Sequence, residues 1–443
     1  MPLEATFACF AGCEERYSLT EVIYRCRSCG ALLDVAHNMA ALAETSGPEW
    51  RELFDRRYRS PFLPEGSGVW GKREWVLPQI DTNHIVSLGE GGSHLFDARR
   101  LGESVGIPEL LVKLCGNGHT GSFKDLGMTV LVSAVVSMRA QGVPIRAVAC
   151  ASTGDTSAAL AAYCAKAGIP SVVFLPRGKV STAQLVQPLA NGSLVLALDT
   201  DFDGCMRVVQ QITSDGSIYL ANSMNPLRLE GQKTAAIEIA QQFGWRVPDF
   251  VVIPSGNLGN VYAFGRGFQW LNRFGLTDRV PRLVCAQSEA ANPLYRSFKN
   301  GFASYEAIVA KNTEASAIRI GDPVSYDRAV RILRETDGLV EQASEQELAD
   351  AAAQGDRIGL YNDPHTGVAL ACAIKLAKSG VIKPHHRVVV VSTAHGLKFT
   401  EHKVKYHEGH LFDNPGQFQN QPVLIPADPK SVEKVLNERL GDS

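Results

Sequence analysis

Four short segments of this 443-residue chain hold residue types that could do chemistry. The first runs Thr120-Gly121-Ser122-Phe123-Lys124-Asp125-Leu126-Gly127, with a lysine beside an aromatic where a helical pattern begins. The N-terminal end of a helix repels cations, so a lysine there calls for a second reason. Burial or neighbouring cations lower a lysine's pKa and make it a nucleophile for carbonyls. The plainer reading is a surface lysine at a helix start, and the segment alone leaves both open.

The second segment is Ala151-Ser152-Thr153-Gly154-Asp155-Thr156-Ser157. Its hydroxyls and backbone N–H groups gather at a helix N-terminus, which suits a carboxylate or a phosphate. A helix cap, Asp155 or Ser152, would need only one of them. The third is Ser255-Gly256-Asn257-Leu258-Gly259-Asn260, where glycines allow close approach and successive N–H groups can cradle a phosphate. No Gly-Lys-Ser/Thr follows, and the glycine spacing is not that of the dinucleotide fingerprint, so a lone phosphate fits best. The fourth is Ser392-Thr393-Ala394-His395-Gly396-Leu397-Lys398. It places hydroxyls after a strand, and its His395 reads as structural, since one histidine in a turn says little. One lysine, one phosphate cup and hydroxyl-rich strand ends together suggest pyridoxal phosphate, with the lysine holding its aldehyde as a Schiff base.

Such residues need a scaffold that brings them together. Short runs rich in Val, Ile and Leu read as buried parallel strands: Arg146–Cys150, Ser171–Leu175, Leu194–Leu198, Phe250–Ile253, Arg282–Ala286 and Val388–Val391. Between them lie helical patterns, among them Thr156–Ala167, stopped by Gly168 and Pro170, and Leu227–Phe243. The alternation predicts an α/β fold with two open, mainly parallel sheets. Ligands in such sheets sit beyond the carboxyl ends of strands, where three of the four segments directly follow predicted strands. Ser431–Leu440 has Val432, Val435 and Leu436 at helical spacing and predicts an amphipathic helix docked on the body.

Composition narrows the function classes. Lys and Arg number 44 against 46 Asp and Glu, so no basic excess drives binding to nucleic acid. No apolar run approaches the roughly 18 residues of a membrane helix. The start, MPLEATFACF, lacks signal-peptide features, which predicts a cytoplasmic protein.

Taken together, the segments resemble the threonine synthase family, pyridoxal-phosphate enzymes of the tryptophan-synthase-β fold type. The resemblance runs from about Ser87 to about Lys405 and rests on SLGEG, HTGSFKDLGMT, ASTGDTSAALAAYCAKAG, STAQLVQ, NSMNPLRLEGQKTAA, SGNLGN, DPHTGVAL and STAHGLKF in family order. The core looks closest to the plant-type branch, which responds to S-adenosylmethionine. The resemblance implies that Lys124 is the Schiff-base lysine and proton carrier, with Phe123 lining the ring. Asp155, where the family often has Asn, would contact the ring hydroxyl oxygen. Gly256, Asn257, Leu258, Gly259 and Asn260 would hold the cofactor phosphate, and Thr393 the pyridine nitrogen. Ser152, Thr153 and Thr156 would grip the substrate's carboxylate or phosphate. Ser223 and Arg228 look like the site for the phosphate of O-phospho-L-homoserine, since a guanidinium fork donates two parallel hydrogen bonds. Ser93-His94 departs from the family's usual Thr-Pro. The implied reaction joins that substrate and water to give L-threonine and phosphate, in a homodimer by family expectation.

Ten cysteines fall into two groups. Six are scattered among apolar or small residues and read as buried thiols of a reducing compartment. Cys9-x3-Cys13 and Cys26-x2-Cys29 have a zinc-knuckle look. A structural zinc and four reduced thiols of a vestigial ribbon both remain open. Rival functions are another enzyme on the same scaffold, such as cysteate synthase or a threonine/serine dehydratase, or a zinc-ribbon binding protein on an inactive scaffold. For all of these pieces to meet at one cofactor, the chain must divide as an N-terminal cysteine module (1–80), a discontinuous large domain (81–130 and 224–405), an inserted small domain (131–223) and a C-terminal arm (406–443), with the cleft between the two sheets.

Overall fold

The structure, a computed structural model, describes residues 1–58, 60–152, 154–178, 182–413 and 415–441, leaving aside the side chains of 182–184 and 202–203. The chain opens with a small antiparallel sheet of β1 (Ala5–Cys9), β2 (Arg16–Tyr17) and β3 (Leu33–His37), in the order β2-β1-β3. It enters a second sheet with β4 (Leu95–Asp97) and β5 (Glu109–Leu114). It leaves for β6 (Ala147–Ala151), β7 (Ser171–Pro176), β8 (Leu194–Leu198) and β9 (Ile218–Leu220), then returns with β10 (Phe250–Pro254), β11 (Arg282–Ser288), β12 (Leu339–Ala343) and β13 (Arg387–Ser392). The six-stranded sheet is ordered β12-β11-β10-β13-β5-β4, and the four-stranded one β8-β7-β6-β9. Every pairing in these two sheets is parallel except β4 with β5. This is the predicted α/β architecture of two mainly parallel sheets.

The six predicted strands form within two residues of their expected ends. Phe250–Pro254 is buried at every position, as a strand covered on both faces must be. Four strands escape the sequence reading. In β5 a buried Lys113 interrupts the apolar run; its Nζ lies 2.7 Å from Glu238 Oε2, which supplies the counter-charge. In β12, Glu341 and Gln342 do the same, while β4 and β9 have only three residues each. The predicted helix Leu227–Phe243 is two helices, Leu227–Gln232 and Thr234–Gln242, meeting at Lys233.

One prediction about packing fails. The C-terminal helix forms, Pro429–Leu440, capped by Asp428, yet none of its residues is buried. Val432, Leu436 and Leu440 are all exposed rather than docked on the body. Helical spacing sets which side is apolar but not what, if anything, covers it.

Residues 1–80 share the main core. Phe7 and Val35 of the small sheet belong to one apolar cluster with Val251 and Ile253 of β10. Trp75 carries much of this joint: its ring meets Trp50, Phe54, Trp270 and Phe274 at centroid distances of 5.2–5.7 Å. Helix Lys124–Ala140 crosses the molecule with most of its length buried. It can lie against helix Leu227–Gln232 because Gly231 has no side chain: a Cβ there would sit 1.7 Å from the Leu126 carbonyl oxygen. That contact presses the Lys124 helix against the one carrying Arg228.

Candidate active site

The four segments open from the carboxyl ends of β5, β6, β10 and β13, and backbone hydrogen bonds join the first to the fourth. The Phe123 N–H donates to the Thr393 carbonyl (2.8 Å), and the His395 N–H to the Gly121 carbonyl (2.9 Å). These bonds join the loop that carries Lys124 to the segment after β13, which carries Thr393. His395 Nδ1 accepts from the Leu397 N–H at 3.2 Å, which is the structural use expected of it. Asn257 Nδ2 donates to Ser223 Oγ at 3.3 Å and ties the glycine loop to the segment after β9.

Lys124 is the first residue of its helix, with Phe123 before it offering no side-chain cap. Its Nζ stands 3.9 Å from the Phe123 ring centroid. Among the described residues it pairs with no carboxylate. Burial pushes its pKa down to about 8, the Asp155 charge opposes that, and the cations of Arg228 and Lys398 add to it. At that pKa roughly a tenth of the amine is neutral at pH 7, far more than for an ordinary lysine, so a nucleophile and base is available near neutrality.

The glycine loop has the shape of an anion cup. Gly256 packs so tightly that a Cβ would lie 2.6 Å from Ile318 Cα. Leu258 takes the left-handed conformation (φ 67°) just before helix Gly259–Arg273. Among the described residues, the backbone N–H groups of Gly256, Asn257, Leu258, Gly259 and Asn260 donate to no protein acceptor. Five successive free donors at a helix N-terminus match a phosphate. The cup follows β10, Thr393 follows the neighbouring strand β13, and the Lys124 loop bonds to Thr393, so the residues fit pyridoxal phosphate.

Arg228 is 3% exposed. Its Nη1 donates to the Ala221 carbonyl at 3.0 Å, its Nε has no partner, and no carboxylate faces it among the described residues. Burial lowers its pKa to about 10, so it stays cationic at neutral pH. A buried cation without a counter-ion is costly unless an anion arrives. Ser223 lies half-buried five residues before it.

On the four-stranded sheet, Gly154 is the N-cap of helix Asp155–Ala167, and no side chain caps it. The capping reading for Asp155 and Ser152 is therefore corrected. Asp155 is helical and turns its carboxylate to Lys398, with Oδ1 2.8 Å from Nζ. Ser152 Oγ accepts from the Gly154 N–H (3.3 Å), and Thr156 is half-buried in the first turn. Thr153 lies outside the described residues.

Lys398 was not picked out from the sequence as a site residue. It also donates to the Thr120 carbonyl (3.0 Å) and Gln187 Oε1 (3.2 Å), so one ammonium links both sheets' loops. Its partner explains how an acid can stand at 155: the pair is neutral as a unit. Replacing Lys398 by Met removes a cation near Lys124 and should move its titration upward from about 8. The check is the pH dependence of pyridoxal phosphate incorporation into apoenzyme, whose midpoint should rise; an unchanged midpoint would contradict the assigned coupling.

Asp363 is the other residue missed. It is fully buried and receives the His365 ring (Nδ1, 2.5 Å), the Thr366 hydroxyl (2.5 Å) and the Ala394 N–H (3.2 Å). Burial favours the neutral acid, but the His365 hydrogen bond and charge outweigh it and hold the carboxyl below its usual range. The result is a rigid anchor for the loop around Thr393.

The four N-terminal cysteines meet as well. Their Sγ atoms all lie within 4.8 Å of one another. A tetrahedral thiolate site with Zn–S near 2.3 Å has sulfurs about 3.8 Å apart, and Cys9 and Cys29 approach to 3.4 Å. The other six cysteines are all buried, as predicted.

Comparison with known proteins agrees with this geometry. A family described as pyridoxal-phosphate dependent enzyme matches residues 86–394. "Threonine synthase 2, chloroplastic" of Arabidopsis thaliana is 58% identical over 428 residues, spanning 96% of this chain and 83% of the relative. The threonine synthase of Methanocaldococcus jannaschii is 35% identical over 429 residues, spanning 96% and 98%. Among solved structures, threonine synthase from Escherichia coli superposes with a TM-score of 0.69 at 20% identity, covering 98% of this chain and 99% of that one. At that identity the last likeness speaks for the fold alone.

Proposed function

The chain belongs to the threonine synthases, a family of pyridoxal-phosphate dependent enzymes, and from that premise we propose how its residues divide the conversion of O-phospho-L-homoserine and water into L-threonine and phosphate. Bound pyridoxal phosphate supplies an electron sink for charge developing on the substrate carbons. Lys124 Nζ holds the cofactor at rest, takes the proton from Cα, and moves protons between carbons as phosphate leaves from Cγ. Its lowered pKa supports that role, because a base near neutrality both accepts and returns protons. The N–H groups of Gly256 to Asn260 would hold the cofactor phosphate, Phe123 would line the ring, and the Thr393 hydroxyl would bond the pyridine nitrogen. Asp155, paired with Lys398, would contact the ring oxygen. Ser152, Thr153 and Thr156 would grip the substrate's carboxylate or phosphate. Arg228 and Ser223 take the leaving phosphate.

The observation that carries this assignment is the buried Arg228, which has no carboxylate partner among the described residues and follows Ser223 by five positions. A dehydratase of hydroxy amino acids handles no substrate phosphate and has no use for it. The deciding experiment is phosphate release from O-phospho-L-homoserine, with threonine identified as the product. No turnover there, with turnover of phosphoserine and sulfite, would instead assign cysteate synthase.

Four finer points complete the proposal. The sheet membership of β6 to β9 supports residues 131–223 as a small domain set into 81–130 and 224–405. The resemblance of the core to the plant-type branch implies a homodimer that S-adenosylmethionine activates, tested by sedimentation and by rates with and without that ligand. The six buried cysteines outside the cluster, none of them in a disulfide, support a cytoplasmic location, which cell fractionation placing the protein in plastids would overturn. Finally, Cys9, Cys13, Cys26 and Cys29 hold one structural zinc. Protein purified without added metal should carry one zinc per chain, and Cys26→Ser should lose both the metal and several degrees of melting temperature. Metal-free wild-type protein of full stability would refute the site.

A further inference from the structure

An edge strand leaves its outward N–H and C=O groups without sheet partners, and something must cover them. In the four-stranded sheet, β9 is such an edge. The Leu220 N–H, at its end, donates to the hydroxyl oxygen of Tyr24 at 2.7 Å. The Leu220 carbonyl accepts from Asn225 Nδ2 at 3.2 Å. The Tyr24 ring stands edge-on to Tyr219, with centroids 5.6 Å apart, and Tyr219 Oη accepts from the same Asn225 amide at 3.1 Å. One residue on, the Ala221 carbonyl accepts from Arg228. The strand end that Tyr24 meets is thus the start of the segment carrying Ser223 and Arg228.

Tyr24 belongs to the N-terminal module and lies two residues before Cys26. The cysteine turn closes immediately after it: the Gly30 N–H donates to the Cys26 carbonyl (2.8 Å), and the Cys26 N–H to the Ala31 carbonyl (2.9 Å). Leu32, on the far side of the turn, packs with Leu220 and Met224. The module also reaches the cofactor side. Asp34 pairs with Arg328 at 2.8 Å, Arg328 touches Ser325 Oγ, and the Ser325 N–H donates to the Asn257 carbonyl at 3.2 Å.

We propose that Tyr24 is a positioning residue for the substrate-phosphate segment, and that the four-cysteine turn is coupled to that segment through it. The proposal rests on the assignment of Ser223 and Arg228 to the substrate's phosphate and of a zinc to the four thiolates. Tyr24 touches no reacting atom. Its hydroxyl satisfies the Leu220 N–H and so sets the path of the chain into Ala221, Asn222 and Ser223. Metal on the sulfurs fixes the turn that presents Tyr24 and Leu32 together. Coupling between two binding sites is reciprocal, so phosphate must tighten the metal site by the factor by which metal tightens phosphate.

The test uses the holoenzyme and Tyr24→Phe, which keeps the ring on Tyr219 and removes only the hydroxyl. KM for O-phospho-L-homoserine and the inhibition constant for inorganic phosphate should rise together by about fivefold, the lower end of ordinary coupling. The value of kcat should stay within about twofold, and the affinity for pyridoxal phosphate should be unchanged. General loosening would lower kcat and cofactor affinity as well, and that pattern, or an unchanged phosphate constant, would overturn the positioning role. In wild-type enzyme, saturating inorganic phosphate should slow zinc release to a chelator, and in Tyr24→Phe it should not. Release indifferent to phosphate in the wild type would overturn the coupling. Metal-free wild-type protein would refute the zinc and the coupling together, while the Tyr24→Phe kinetics still decide the positioning role. Failure of Arg228 to matter for phosphate would instead refute the phosphate site itself.

Discussion

Lys124→Ala should lose threonine formation by at least about a thousandfold, the scale of a lost catalytic base, and should do so in a protein that still folds. The side chain begins a helix, and its Nζ has no carboxylate partner among the described residues. Truncation therefore orphans no buried group. It removes a costly buried ammonium, and its apolar stem is the only packing lost. The helix keeps its other anchors: Asp125 still receives the Thr120 hydroxyl (2.5 Å) and N–H (2.9 Å), and the Gly231 contact is untouched. Borohydride reduction of wild-type holoenzyme should leave a pyridoxyl label on the peptide containing Lys124, and the variant should carry none. The melting temperature should stay within a few degrees. A label retained by the variant would assign the covalent lysine elsewhere, and Lys398 would be the first residue to examine.

The contrast between Lys124 and Lys398 shows how much of the site the sequence carried. Lys124 was legible because local rules flag it: a cation where a helix dipole disfavours one, beside an aromatic. The glycine loop was legible because its spacing excludes two common phosphate motifs and leaves a third use. Lys398 offers no local oddity. It is an ordinary lysine near a 3-10 turn, and its meaning comes from Asp155, which lies on the other sheet. Asp363 is similar. As the N-cap of helix Pro364–Lys378 it looks fully employed, and only the fold shows the Ala394 N–H reaching it from β13. The strands follow the same logic. Apolar runs such as β10 and β13 declare themselves, whereas β5 hides behind Lys113 until Glu238 is seen to neutralise it. The misjudged C-terminal helix is the converse case, since its periodicity was real but an amphipathic stripe carries no information about its partner.

Arg228→Met should separate function from stability more sharply than any other change. The guanidinium is buried, keeps one hydrogen bond to the Ala221 carbonyl, and leaves Nε without a partner. Removing one member of a buried, hydrogen-bonded charge pair typically costs 2–5 kcal/mol, so kcat/KM for O-phospho-L-homoserine should fall by about a hundredfold or more. The loss should appear mainly in KM, with inorganic phosphate weakened as an inhibitor to a similar degree, because the interaction is with the phosphate itself. Stability should move the other way or not at all. Without substrate the cation has no counter-ion among the described residues, and an apolar side chain of similar length avoids its desolvation. The Ala221 carbonyl does lose a donor, which limits the gain. Gly127 and Gly231 leave the helix contact close, so a flexible Met stem is the right replacement. The informative outcome is the combination of a hundredfold loss of phosphate recognition with a melting temperature at or above that of the wild type. Unchanged kinetics would remove Arg228 from the phosphate site, and a large drop in melting temperature would mean that its bond to Ala221 serves the fold rather than the substrate.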